Sequence, residues 1–318
     1  MPRWSLPGHG ADMPLHAAAL AYLDEVARSG SIRQAARRLN IAASAVNRQI
    51  LKLEVEFGTL LFERLPSGLR LTPAGELVVR HARATLHEYG RMRAELDALD
   101  GIRSGLVRIA TLDSLLLRVV PELLMPYVRA NPDVRYAVNA CGPGEIVRRV
   151  AAGDADIGIA FDLEEHSAMR VESLVEMPIR AMVARDHPLA AREHTTLLEC
   201  ASYPMLFQED TQPIGSLLLH ELEEARMAAT PLMASNNLTL IKQLICAGLG
   251  VAFFTAIGFL DELADGRVVG VPLLEPRLNS LNIVVITARS RHLAPATNDL
   301  VQLISTALAG LANHYNGH

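Results

Sequence analysis

In the run Ser31-Ile-Arg-Gln-Ala-Ala-Arg-Arg-Leu-Asn-Ile-Ala-Ala-Ser-Ala-Val-Asn-Arg-Gln-Ile50, two helical patterns stand a few residues apart. Ser31 is placed to cap the first helix, with Gln34 three residues on completing a capping box. Ile32, Ala35, Ala36 and Leu39 share its apolar face, and Arg33, Arg37 and Arg38 point away from it. The paired alanines let a second helix approach closely. After Asn40-Ile41 that helix begins near Ala42. Its apolar stripe is Val46, Ile50, Leu53 and Phe57, which fall within roughly 60° of one another on a helical wheel. The opposite side carries Ser44, Asn47, Arg48 and Lys52. Two helices joined by a short turn, the second basic and polar on its outer face, form a helix-turn-helix. On spacing alone, an ordinary three-helix bundle with a solvated charged face fits as well.

Working outward, Ala19, Leu20, Leu23, Val26 and Ala27 repeat at helical spacing, and Gly30 stands where a helix end needs positive φ. Downstream, Leu60–Arg64 and Leu69–Thr72 read as short strands around the turn Pro66-Ser67-Gly68. A hairpin directly after the second helix is a wing, with Arg64 and Arg70 placed to reach phosphates. Ser44, Asn47 and Arg48 suit base edges in a major groove, where Arg favours guanine and Asn adenine. Leu51 and Val55 also face outward, which suits contact with another segment better than DNA.

Charge follows the same division. Residues 31–70 hold seven basic and three acidic groups, a balance of +4, whereas residues 102–318 carry −7 and the whole chain −5. One module meets a polyanion and the other does not. With 318 residues, half of them apolar, the chain is long enough for two or three domains of about 150 residues or less. Cys141, Cys200 and Cys246 lie 59 and 46 residues apart with no CxxC pair, so neither a disulfide framework nor a zinc site is expected. The start of the chain has no apolar core of signal-peptide length. The uncharged stretch Gln243–Leu260 is 18 residues long but contains Gly248, Gly250 and Gly258, so it reads as a helix, a turn and a buried strand rather than a membrane span. A cytoplasmic, reducing location follows. Residues 1–13 carry no periodic pattern and read as an extension, with Met13 as an alternative start.

Thr72 and Pro73 open a further helical pattern that continues to Asp100, roughly 40 Å at 1.5 Å per residue. Val78, Ala82, Thr85, Tyr89, Met92, Leu96 and Leu99 alternate four and three apart, a heptad seam. A helix packed on its own domain and a helix pair between two chains both fit. Beyond Gly101 the pattern changes to alternating strands and helices: Leu106–Ala110, a helix over Ser114–Ala130, Val134–Ala140, a helix over Glu145–Ala152, and Ile157–Phe161. This βαβαβ order implies a parallel sheet. A second set follows from about residue 176, with helices near Gly215–Ala228 and Leu238–Ala247, and the final helix runs from about Pro295 to Asn313.

The run 31–50, with Leu53-Glu54, Phe57-Gly58, Leu61-Phe62-Glu63-Arg64 and Leu71-Thr72-Pro73-Ala74-Gly75, resembles the signature of LysR-type transcriptional regulators. The match is dense over residues 14–100 and looser beyond. Where the family has Gln-Pro or Gln-Ser at the start of the recognition helix and Ser before its Arg, this chain has Ala43-Ser44 and Asn47, a difference that concerns the preferred base sequence. The resemblance implies a multidomain chain. An all-α winged helix-turn-helix (14–72) and a dimerisation linker helix (73–101) precede a two-lobed α/β effector domain (102–318) like a periplasmic solute-binding protein. Lobe I spans about 102–175 and 291–318, and lobe II about 176–290. It further implies a homodimer or homotetramer on imperfect palindromes of double-stranded DNA, with DNA contacts from Arg33, Ser44, Asn47, Arg48, Lys52, Arg64 and Arg70. RNA polymerase stands as an open further partner.

The resemblance also implies an effector in the cleft between lobes. Ser114 stands where the family's effector-contacting hydroxyl lies, with Thr111 just before it. Gly142 and Pro143 precede the next helix, Asn236 and Asn237 open a helix in the second lobe, and Gln208 to Thr211 form the facing loop. Free N–H groups at helix starts favour a small organic anion, although simple helix capping explains each residue singly. No catalytic constellation, metal site or cofactor motif emerges: the glycine pairs lack a dinucleotide or phosphate-loop fingerprint. His187-Pro188-Leu189-Ala190 looks like a family loop motif rather than a base. An enzyme fused to a DNA-binding module and a ligand-independent architectural protein remain the alternatives to a ligand-responsive regulator.

Overall fold

The computed structural model describes residues 15–66, 68–161, 168–209, 214–224 and 231–316. The expected extension 1–13, the Ser67 turn residue and Thr211 lie outside the described residues. The chain forms two compact units that divide between Leu96 and Asp97.

The first unit opens with helices α1 (Leu15–Ser29), α2 (Ile32–Leu39) and α3 (Ala43–Phe57). Ser31 caps α2 by accepting the Gln34 N–H at 3.4 Å. Asn40 closes the same helix in the left-handed region at φ +56°, its N–H turned back onto the Ala36 and Arg37 carbonyls. Asn tolerates that backbone better than other side-chain-bearing residues do, and the tight exit sets the crossing of α2 and α3. Leu23, Val26, Ala35, Ala36, Val46, Ile50 and Leu53 are buried together. Phe57 departs from the expected stripe and is 47% exposed. Helix α3 ends at Gly58, and the core position below it is filled instead by Leu61 and Phe62.

Strands β1 (Phe62–Leu65) and β2 (Gly68–Leu71) pair antiparallel as the wing, with Glu63 opposite Arg70. The Glu54 carboxylate on α3 accepts the Leu61 and Phe62 N–H groups at 2.8 and 3.3 Å, tying the wing's entry to the recognition helix. At the other end, the Leu69 N–H donates to the Gly30 carbonyl at 2.8 Å. A Cβ at Gly68 (φ +133°) would stand 2.7 Å from that same oxygen, so only glycine permits this approach.

Helix α4 (Pro73–Leu99) begins on Thr72, whose Oγ1 accepts the Gly75 N–H at 2.9 Å and donates to the Leu60 carbonyl at 2.7 Å. A Cβ at Gly75 would fall 2.0 Å from the Leu61 carbonyl oxygen. Gly75→Ala is therefore expected to push α4 off the wing and destabilise this unit by about 1–3 kcal/mol, the range of overpacking against a fixed neighbour. A melting temperature within a degree of the unaltered protein's would show that the helix shifts without penalty.

In the second unit, β3 (Gly105–Thr111), α5 (Asp113–Leu116), α6 (Val119–Ala130), β4 (Val134–Ala140), α7 (Pro143–Ala152), β5 (Ile157–Phe161) and β6 (Met169–Glu176) come first. Then follow β7 (Ile179–Ala184), α8 (Leu197–Cys200), β8 (Leu206–Gln208), α9 (Ile214–Glu224), β9 (Met233–Ser235) and α10 (Leu238–Cys246). The chain finishes with β10 (Ala252–Thr255), α11 (Leu260–Ala264), β11 (Val268–Pro272), β12 (Asn282–Ala288) and α12 (Pro295–Asn316). The first sheet has the order β4-β3-β5-β12-β6. Its β3, β4 and β5 are parallel, as the βαβαβ order implies, while β12 runs antiparallel to both β5 and β6. The second lobe holds β10-β7-β11 and the pair β8-β9, linked by a bridge from Met205 to Val251.

Two boundaries move. Strand β12 belongs to the first sheet, so lobe II closes near residue 281 and not at 290. Its continuous apolar run Ile283–Ile286 is buried on both faces there, and nothing local distinguishes a central strand of one sheet from that of another. The helix expected over Ser114–Ala130 is broken at Arg118 (φ −140°) into the four-residue α5 and the longer α6. Strands β6 and β12 carry the chain out to lobe II and back, joined where the Met177 N–H meets the Leu281 carbonyl at 2.7 Å. Helix α12 returns to lobe I as expected, packing on α6, β3, β6 and β12.

Candidate functional site

On the N-terminal unit, the side of α3 away from the core presents Ser44, Arg48 and Lys52 exposed and Asn47 half-buried, and α2 exposes Arg33 and Arg37. Their positions follow from the buried stripe on the opposite side. Helix α3 starts at Ala42 without a side-chain cap. The backbone N–H groups of its first turn are therefore left to solvent or to a phosphate. On the wing, Arg64 is exposed, but Arg70 is held by Glu63 at 2.7 Å across the strand pair. Arg38 is likewise paired with Glu25 at 3.0 Å. Leu51 and Val55 stay exposed on α3, at 45% and 82%.

The heptad seam splits. Ala82 is completely buried in the N-terminal unit's own core beside Val79, and Val78 packs partly on that core. These two positions are taken by the chain's own fold, because α4's first half is the lid of the helix-turn-helix. Thr85 and Tyr89 are half-buried, and only Met92 (43%), Leu96 (49%) and Leu99 (83%) present an apolar face outward.

In the second unit, the lobes meet at the end of β3. The Ser114 side chain lies against Gly258, where a Cβ would be 3.6 Å from Ser114 Cβ and 3.6 Å from Leu238 Cδ2 at the start of α10. Asp113, which the sequence reading passed over, accepts the Ser114 N–H at 2.8 Å through Oδ1 and the Gln208 side-chain N–H at 3.2 Å through Oδ2. Gln208 comes from lobe II, so this bond spans the two lobes. Arg118 in lobe I and Asp261 in lobe II form a second bridge at 3.0 Å. The hydroxyls of Thr111 and Ser114 are buried and have no hydrogen-bond partner among the described residues.

The remaining expected positions divide. Gly142 and Pro143 follow Cys141, whose N–H donates to the Thr111 carbonyl at 3.0 Å, so this helix start adjoins Thr111. Asn237 is the N-cap of α10 and its Oδ1 accepts the Leu240 N–H at 3.0 Å, while Asn236 is exposed. The helix starts are therefore less free than expected: Asp113 occupies the Ser114 amide and Asn237 caps its own helix. A lone aspartate at a helix start reads in sequence as an ordinary cap, which is why its reach across the lobes was not legible.

Elsewhere, burial pushes the Cys200 thiol up to about 12, so it is no nucleophile at neutral pH. His187 accepts the Leu189 N–H through Nδ1 and meets Tyr203 edge to face, and burial lowers its pKa. Among the described residues no group of His, Cys, Asp and Glu is placed to hold a metal ion, and no helix is long and apolar enough to cross a membrane.

Two family models match this chain: bacterial regulatory helix-turn-helix protein, lysR family, over residues 17–76, and LysR substrate binding domain over residues 100–309. The chain belongs to the LysR family. It is 30% identical over 238 residues to YwqM, an HTH-type transcriptional regulator of Bacillus subtilis, covering 73% of this chain and 79% of that one. Its fold is similar to full-length OxyR of Pseudomonas aeruginosa, with TM-score 0.69, 18% identity, and 93% and 95% of the two chains covered. It is also similar to full-length CbnR, solved as a complex with its target DNA, with TM-score 0.59, 20% identity, and 92% and 99% covered. This LysR-family regulator thus couples a DNA-binding unit to a substrate-binding domain, which are the two halves that the family models describe.

Proposed function

We propose that this regulator binds imperfect palindromic DNA as a dimer or a pair of dimers. In this reading a small molecule seated between the lobes changes the arrangement of the paired helix-turn-helix units. The observation that carries the DNA half is the exposed face of α3, with Ser44, Arg48 and Lys52 outward and Asn47 half-buried, and with Arg33 and Arg64 exposed on α2 and the wing. In this reading Ser44, Asn47 and Arg48 meet base edges, and Arg33, Lys52 and Arg64 meet phosphates. Arg70 contributes less, because Glu63 already neutralises it.

Dimerisation is assigned to the outward stripe Met92, Leu96 and Leu99, with Thr85 and Tyr89 at its edge and without Ala82 and Val78. The effector half rests on the Thr111 and Ser114 hydroxyls, unpaired among the described residues, at the junction spanned by Asp113 and Gln208. Gly142, Pro143, Asn236 and Asn237 form the rim of the same site. The organic anion expected from free helix-start amides has less support, since the Ser114 amide is already bound. A bound dimer of this kind acts in the cytoplasm, by changing the access of RNA polymerase to adjacent DNA.

The test is a comparison of two arginines. Arg48→Ala is expected to weaken operator binding by ~1–3 kcal/mol and relax preference at one base position. Arg64→Ala should weaken operator and random DNA alike and reduce the slope of log K against log salt by about 1. Titrations of both variants on operator and scrambled DNA at several salt concentrations decide the matter, and equal effects of the two changes on both DNAs would remove this division of roles.

A further inference from the structure

We propose that the interlobe site selects its ligand through an alkylammonium group, which takes the place of the Gln208 side-chain amide on the Asp113 carboxylate. The inference rests on the reading of this junction as the effector site and adds the ligand's chemical class. An ionised carboxylate only accepts hydrogen bonds, at about four lone-pair positions on its two oxygens. Asp113 has one oxygen on the Ser114 amide at 2.8 Å and the other on the Gln208 Nε2 at 3.2 Å. The second is a long bond between neutral donor and charged acceptor, made by a side chain from the opposite lobe. It shows which chemistry this carboxylate draws across the junction: a nitrogen donor.

The surroundings fit the same class. Thr111 Oγ1 and Ser114 Oγ are each more than nine-tenths buried and without a hydrogen-bond partner among the described residues. Each hydroxyl can accept an N–H as readily as donate one. An ammonium group carries three N–H donors, the number that Asp113 Oδ2 and the two hydroxyls can accept. A carboxylate ligand meets the opposite situation. The Ser114 amide is occupied by Asp113, the start of α10 is closed by Asn237, and the nearby cation Arg118 is engaged by Glu122 and Asp261 at 2.8 and 3.0 Å. A ligand anion would therefore face Asp113 with Arg118 already engaged. Because Gln208 belongs to lobe II while Asp113, Thr111 and Ser114 belong to lobe I, displacement of the amide by a ligand releases one interlobe bond, which links occupancy to the lobes' arrangement.

The experiment titrates the full-length protein with two probes of equal length and opposite charge, 1,4-diaminobutane and succinate, by calorimetry at 0.15 M salt. The diamine is expected to bind at least 30-fold more tightly than succinate. Asp113→Asn should weaken the diamine at least tenfold. Gln208→Ala, which removes the internal competitor, should tighten it several-fold, an effect that general attraction to an acidic chain does not produce. Should Asp113→Asn fold poorly, Asp113→Ser and the Gln208→Ala result carry the same test. Tighter binding of succinate, a diamine response indifferent to Asp113, or no diamine response at 10 mM would each overturn the ammonium assignment. Succinate binding that is lost in Ser114→Ala would overturn it while leaving the interlobe site in place. Binding of either probe that survives both Asp113→Asn and Ser114→Ala would overturn the site reading itself.

Discussion

Replacing Met92 and Leu96 together by glutamate is expected to abolish the proposed dimer and to lower operator affinity at least 100-fold. Both side chains stand nearly half exposed on α4, at 43% and 49%, with Leu99 at 83% on the same stripe. They contribute little to the N-terminal unit's own core, so the change spares its folding. In an antiparallel pairing of two such helices the substitutions place four carboxylates in one apolar seam, and burying unpaired charge there costs far more than the apolar contacts return. Loss of the dimer removes the linkage of two DNA-binding units, and linkage of this kind is worth about 10²–10⁴ in affinity. Light scattering reports the mass and a DNA titration reports the affinity. A dimer that persists, with each lobe folded, would move the interface to the sheet edges of the effector domain.

Lys242→Ala is expected to cost about 3 kcal/mol in the stability of the effector domain, read by urea unfolding. Lys242 Nζ lies 2.8 Å from Glu262 Oε2, with both side chains only 9% exposed, and the ammonium sits 5.4 Å from the Phe259 ring centroid. Removing the lysine leaves a buried carboxylate whose remaining cation, Arg267, is 3.7 Å away and half exposed. Breaking one side of a buried pair costs ~3–5 kcal/mol, whereas replacing both sides by apolar residues of similar volume is nearly neutral. Arg267 places the expected loss at the lower end of that range. The double change Lys242→Met, Glu262→Leu should recover most of the single variant's loss. A single variant within 1 kcal/mol of the unaltered protein would mean that Arg267 or water compensates fully.

The two halves of the molecule were legible to different depths. In the N-terminal unit nearly every element was readable, because its helices are short, amphipathic and capped by local signals: Ser31, Gly30, Gly58 and Thr72 each make their capping bond to a residue within four positions of themselves. Phe57 was the exception. Its spacing matched the buried stripe, but the turn after α3 brings Leu61 and Phe62 into the space it was expected to fill. The α4 seam failed in the same way at Ala82 and Val78, since a heptad pattern shows which residues share a face and not which partner covers it.

In the effector domain the alternation of strands and helices was readable, and strands β4 and β5 fell where their apolar runs placed them. The assignment of β12 to the first sheet was not readable. A strand buried on both faces has no alternation to orient it, and its neighbours are set by a chain that leaves at β6 and returns more than a hundred residues later.

By itself, then, the sequence determined the local matters: where helices begin and end, which faces of α2 and α3 are apolar and which are basic, and that a basic module precedes an acidic α/β one. These depend on interactions between residues a few positions apart, which a linear pattern records. Tertiary structure alone decided that Glu63 neutralises Arg70, that α4 spends its first half on its own domain, and that Asp113 reaches Gln208, 95 positions away, across the junction of two lobes. Each is a contact between side chains whose separation in space is fixed by packing and register, and no spacing in the chain encodes that distance.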